Sequence, residues 1–162
     1  MNGRKIKYYW DTCIYLAWLR QEQTHKGTIP SIEGIIQRAR DGKVTIYTSV
    51  ITIAEVLTEK LPAKQRKDFE GCFRFGEHEL YDVDVRIAQK ASKIREIALA
   101  LHNGKKIKTP DAIHIATAQI IGVEQLHTLD NELIALHGSK AVDGLNITKP
   151  SLTDDKEPGL FD

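Results

Sequence analysis

Short β-type runs alternate with helix-type runs along the whole of this chain, and that alternation commits it to an α/β fold with a largely parallel sheet. Residues 6–10 make an aromatic-rich first strand, and Asp11-Thr12 can then cap a helix through about Leu19. Ile32, Ile35, Ile36 and Ala39 recur at helical spacing, with Ser31 as N-cap and Gly42 as stop. Residues 44–48 read as a second strand, and Ser49 caps a helix carrying Ile53, Ala54, Val56 and Leu57. Pro62 interrupts it, and a basic amphipathic stretch runs on through Phe75. Residues 79–83 give a third strand. Residues 85–101 form the cleanest amphipathic helix, ended by Asn103-Gly104. Pro110 fits the first turn of the next helix, which is apolar nearly all round and stops at Gly122. Residues 125–128 and 145–148 complete the set as short fourth and fifth strands.

Four acids stand where these segments meet. Asp11 follows the first strand, Glu55 lies inside the helix after the second, Asp111 opens the apolar helix, and Asp130 follows the fourth strand. Carboxylates that share one crevice repel each other and need a cation or a proton. Each acid alone has a plainer explanation. Asp11 is a good N-cap, although Thr12 could cap equally well. Glu55 could turn onto a solvated stripe with Thr52 and Glu59. Asp111 gains from the helix dipole. Asp130 suits a turn, and Glu132 could substitute for it. His114 shares a face with Asp111, and a satisfied polar histidine is a commoner outcome there than a metal ligand. For Thr12 and Thr128, helix capping or strand-end packing is the plainer role. The joint placement of the four acids is what points to a divalent-metal site and phosphoryl chemistry.

Composition narrows the rest. The 162 residues suit one domain with a proper core, assigned to residues 1–150. Residues 151–162 read as a flexible acidic tail, with Asp154, Asp155, Glu157 and Asp162. Formal net charge is +1, from 23 basic and 22 acidic residues, so bulk attraction to nucleic acid is weak and any binding needs a local patch. Lys105, Lys106 and Lys108, just before Asp111, are the candidate phosphate contacts. Lys60, Lys64, Arg66 and Lys67 form a second basic group, for which a solvated face is the plainer role. Phe69, Phe73 and Phe75 are expected in a core or interface. Cys13 and Cys72 form no CxxC pair and read as reduced packing residues. No apolar run reaches the ~20 residues of a membrane span, and no signal peptide is visible. A cytoplasmic location is expected.

The runs Tyr-Trp-Asp11-Thr-Cys-Ile-Tyr-Leu, Ser-Val-Ile-Thr-Ile-Ala-Glu55-Val-Leu, Thr-Pro-Asp111-Ala-Ile-His-Ile-Ala-Thr-Ala and His-Thr-Leu-Asp130, in this order, resemble a PIN domain, especially the small VapBC-type toxin ribonucleases. The resemblance spans roughly residues 5–150. It implies a three-layer α/β/α sandwich on a five-stranded, mostly parallel sheet. It implies that Asp11, Glu55 and Asp111 are the main catalytic acids and Asp130 the more variable fourth, together holding Mg²⁺ or Mn²⁺ for RNA hydrolysis. It also implies a homodimer and a small antitoxin partner. Two features depart from the family: no aromatic directly follows Asp130, and the chain is longer than the smallest members.

Three other classes compete. A phospho-accepting receiver domain wants an acidic pair after the first strand, an Asp after the third and a Lys after the fifth; here Asp82, Asp84 and Lys149 are the only candidates. A haloacid-dehalogenase-type phosphatase wants Asp-x-Asp, where this chain has Asp11-Thr-Cys. A PIN domain serving only as an RNA-binding scaffold need not keep four acids.

Overall fold

The structure is a computed structural model that describes residues 3–101 and 106–152. Its centre is β1 (Ile6–Trp10), whose alternating side chains point into two separate cores. Tyr8 and Trp10 face Ile14, Tyr15, Ile32, Ile35 and Phe69 on one side; Tyr9 faces Ile87, Ala112, Ile115 and Leu126 on the other. All of these side chains are 2% exposed or less. A strand buried on both faces explains the continuous aromatic run.

β2 (Val44–Ser49), β3 (His78–Tyr81), β4 (Gln125–His127) and β5 (Ile147–Thr148) complete a five-stranded sheet in the order β3-β2-β1-β4-β5. Every pairing is parallel, so the expected mostly parallel sheet is wholly parallel. Helices α1 (Thr12–Arg20), α2 (Ile29–Arg40), α3 (Ile51–Leu57) and α4 (Ala63–Gly71) contribute to the first core. The second is built from α5 (Val85–Leu101), α6 (Thr109–Ile121) and the short α7 (Asn131–Ile134). This is the expected three-layer α/β/α sandwich.

The order excludes the receiver architecture, whose strands run 2-1-3-4-5. Asp84 is also spoken for: its Oδ1 accepts the Ile87 N–H at 2.9 Å, and Arg86 pairs with Oδ2 at 3.3 Å. It starts α5 and is not an acceptor at a strand end.

Local chemistry shifts some boundaries. α2 begins two residues before Ser31, with Pro30 in its first turn, because proline's fixed φ suits that position. β3 begins at His78 and ends at Tyr81. Gly122 ends α6 at φ 73, the left-handed cap that glycine adopts without strain. Phe69 is core and Phe73 packs against it, but Phe75 is 83% exposed. The expected Asn103-Gly104 stop, Lys105 and the tail from residue 153 lie outside the described residues. Among the described residues no helix is long and apolar enough to cross a membrane.

Candidate active site

In the order β3-β2-β1-β4-β5, the chain changes direction of winding between β1 and β4, and parallel sheets bind ligands at the carboxyl ends of the strands beside such a point. Asp11 leaves the end of β1 and Asp130 follows the end of β4. α3 brings Glu55 and the first turn of α6 brings Asp111 to the same place. All four acids line one cleft of about 240 Å³, with Thr12, Cys13 and His114.

Asp11 occupies the N-cap position of α1 but makes no side-chain cap bond. Its carboxylate is 5% exposed and is held from within: Cys13 Sγ donates to Oδ1 at 2.7 Å and Thr128 Oγ1 donates to Oδ2 at 2.6 Å. The same two side chains tie down the loop after β4. Leu129 N–H donates to Cys13 Sγ at 3.2 Å and Asp130 N–H to Thr128 Oγ1 at 3.1 Å. Thr128 therefore orients an acid, where strand-end packing was the plainer expectation.

Glu55 Oε1 accepts the Thr12 hydroxyl at 2.8 Å and lies 2.8 Å from His114 Nε2. Thr12 thus serves Glu55 and not the helix cap. The solvated stripe proposed for Glu55 does not form, because Thr52 is fully buried, its hydroxyl 2.8 Å from that of Thr48. Asp130 does cap: Oδ1 accepts the Glu132 N–H at 2.8 Å at the start of α7.

The electrostatics show which acids feel each other. Burial pushes the Asp111 carboxyl up to about 6; the His114 ring opposes this, and Asp11, Asp130 and Glu55 add to it. Asp11 is also raised, by burial above all. Glu55 goes the other way. Its burial would raise it, but the bonds from His114 and Thr12 hold it below the usual carboxylate range. Burial pushes the Cys13 thiol far up, with Asp11 adding to the effect, so it is a poor nucleophile.

The donor set is all oxygen, which suits a hard divalent cation. The four acids line the cleft without forming a closed cage: among the described residues no three His, Cys, Asp or Glu side chains stand close enough to hold an ion as placed. An ion here would keep several waters, as Mg²⁺ does readily.

The basic groups divide. Lys106 and Lys108 line a cavity with Ile107, Leu133 and Leu136 that shares Asp111 with the acid cleft. Lys64 and Lys67 line a different cleft, with Arg40, Arg74 and Phe75. Lys64 pairs with Asp68 at 2.9 Å and Arg66 with Glu70 at 3.6 Å, so this second group is largely a solvated, paired face.

Comparison with known proteins follows the same line. A family model of the PIN domain matches residues 8–138. The chain therefore belongs to the PIN domain family. No curated protein matches it. Among solved structures, VapBC2 from Rickettsia felis, bound to a DNA fragment from its promoter, superposes with a TM-score of 0.63 at 17% identity, over 90% of this chain and 100% of that one. VapC20 from Mycobacterium tuberculosis, described as a sarcin–ricin-loop-cleaving toxin, gives 0.58 at 15% identity, over 79% and 93%. A toxin–antitoxin complex from Klebsiella pneumoniae gives 0.55 at 21% identity, over 89% and 98%. At these identities the likeness is one of fold.

Proposed function

We propose that this PIN domain is a divalent-metal-dependent endoribonuclease, the toxin of a toxin–antitoxin pair. The observation that carries the reading is the single cleft at the strand ends, in which acids from three other segments help to raise Asp111 to about 6. A cluster of this kind is costly unless a cation neutralises it, and structure is kept under such strain where function uses it.

Asp11, Glu55, Asp111 and Asp130 would hold one or two Mg²⁺ or Mn²⁺ ions. Such an ion supplies Lewis acidity, neutralising phosphate charge and making water a competent nucleophile near neutral pH. The chain's own residues do the positioning. Thr128 and Cys13 fix Asp11, Thr12 and His114 fix Glu55, and the α7 cap fixes Asp130. Lys106 and Lys108 would steady the RNA backbone beside Asp111, giving salt-dependent affinity. No protein nucleophile is needed.

The likeness to VapC20 makes a structured RNA the first substrate to try, and the likeness to toxin–antitoxin complexes points to a small antitoxin partner; a homodimer is implied by the family resemblance alone. The test is cleavage of a labelled structured RNA by purified protein with Mg²⁺, Mn²⁺ or chelator, beside Asp111→Asn. Metal-dependent cutting that disappears in the variant supports the reading. Equal cutting by both removes Asp111 from the site. Tight metal binding with no cleavage of any RNA favours a binding scaffold.

A further inference from the structure

We propose that Tyr9 and His114 form a relay that aims the Glu55 carboxylate into the acid cleft, so that His114 is a positioning residue and not a metal ligand. The inference rests on the reading of Glu55 as a metal-holding acid.

The relay joins four separate segments through groups sealed from water. Tyr9 on β1 is 0% exposed and His114 on α6 is 1% exposed. Ser49 N–H, at the end of β2, donates to the Tyr9 oxygen at 3.1 Å. That oxygen lies 2.6 Å from His114 Nδ1, and His114 Nε2 lies 2.8 Å from Glu55 Oε1 on α3.

The donor directions follow from the two ends. The Tyr9 oxygen already accepts from Ser49, so the hydroxyl proton is what it has left to give, and Nδ1 is the acceptor within reach. Oε1 of a carboxylate can only accept. In the neutral ring, both ends therefore select one tautomer, with the proton on Nε2 and donated to Glu55. The other tautomer would set the bare Nε2 lone pair against a carboxylate and leave two hydrogen-bonding groups mismatched in the core.

Two consequences distinguish this arrangement from a ligand histidine. Both ring nitrogens are engaged by protein, so neither is left for an ion. Oε1 is occupied by His114 and Thr12, and among the described residues Oε2 accepts no protein hydrogen bond. Oε2 is thus the oxygen left to act in the cleft. Tyr9 lines neither the acid cleft nor the neighbouring cavity that shares Asp111, yet it controls the tautomer on which Glu55 depends.

The test uses the full chain and two readouts. Nitrogen-15 NMR of the imidazole at about pH 8, without metal, reports the tautomer, and Mn²⁺ titration reports the affinity of the cleft. His114→Asn, His114→Gln and Tyr9→Phe are compared, each with a thermal melt to count only folded protein. The expected spectrum of the parent chain is the Nε2–H tautomer, with Tyr9→Phe moving population towards Nδ1–H. Mn²⁺ affinity should fall about 10- to 100-fold in His114→Asn and Tyr9→Phe, the usual size of a lost supporting hydrogen bond at a metal site. His114→Gln should recover part of that loss, because its amide nitrogen reaches the place of Nε2 while that of Asn does not. An Nδ1–H tautomer in the parent chain overturns the relay. So does His114→Gln binding no better than His114→Asn, or Tyr9→Phe binding as well as the parent. If the parent chain takes up no Mn²⁺, the metal reading fails, and the metal-free spectra still decide the relay.

Discussion

Thr128 supplies one hydroxyl proton to Asp11 Oδ2 and its oxygen takes the Asp130 N–H, so one small side chain sets two acids of the cleft. Thr128→Val keeps the shape and removes both bonds. It should weaken divalent-ion affinity about 10- to 100-fold, measured by Mn²⁺ titration, with the fold intact by circular dichroism. Unchanged affinity would mean that Asp11 is oriented without it. Asp11, Asp111 and Asp130 stand out in the sequence because each is at a strand end or a helix start, and Glu55 because it interrupts an apolar helical run. Their supporting contacts do not. Thr128 reaches Asp11, and Glu55 reaches both Thr12 and His114, across stretches of chain whose proximity only the sheet order creates. The histidine was correctly expected to be a satisfied polar group, but nothing in Asp-x-x-His spacing names Tyr9 as its partner.

α6 is the element on which the site leans most, since it carries both Asp111 and His114 and buries Ala112, Ile115, Ala116 and Ala118. Its C-terminal cap is Gly122 at φ 73. An added Cβ there would meet no neighbour within 4 Å, so Gly122→Ala should cost backbone strain alone, about 1 kcal/mol. Urea denaturation checks this, and an unchanged midpoint would contradict the cap. Elements with strong periodicity, such as α5 and α6, were readable almost to the residue. The edges of the sheet were not: β3 begins one residue earlier than expected, at His78, because that residue is buried beneath Trp10 and bonded to Tyr15, a tertiary reason that no local pattern carries. Phe75, expected in a core or an interface, is not in the core of this chain. It follows the last packed turn of α4 and projects into solvent.

The molecule as a whole carries two opposed titrations. His78 and His127 are held neutral by burial, with pKa values pushed down to about 3. In the unfolded chain they protonate near 6.5, so between about pH 6.5 and 3 the unfolded state binds more protons and stability falls on acidification. At pH 5 this amounts to about 2 kcal/mol for each ring. Asp111 acts in the opposite sense: its raised carboxyl is costly when charged, and protonation near pH 6 relieves about 1 kcal/mol after allowance for its partial exposure. Stability should therefore drop by about 3 kcal/mol from pH 7 to pH 5 in urea titrations, and no drop would show that the two histidines are not neutral in the fold. An α/β fold with a largely parallel sheet was predictable from the alternation of strands and helices, and the three-layer α/β/α sandwich was implied by the PIN resemblance. The order β3-β2-β1-β4-β5 was not predictable from the alternation, since any of several windings satisfies it, and that order is what gathers the acids. The central claim is that these acids form a mutually repelling seat for a divalent cation, and thermal melting of the parent chain and Asp111→Asn, in chelator and in saturating Mg²⁺, tests it most directly. In chelator the variant should melt higher, because about 1 kcal/mol of burial cost and repulsion is gone. Mg²⁺ at about 100 times its dissociation constant should then raise the parent by about 2.7 kcal/mol and leave the variant nearly unmoved. A variant that melts lower than the parent in chelator, with Mg²⁺ shifting neither, would contradict the account.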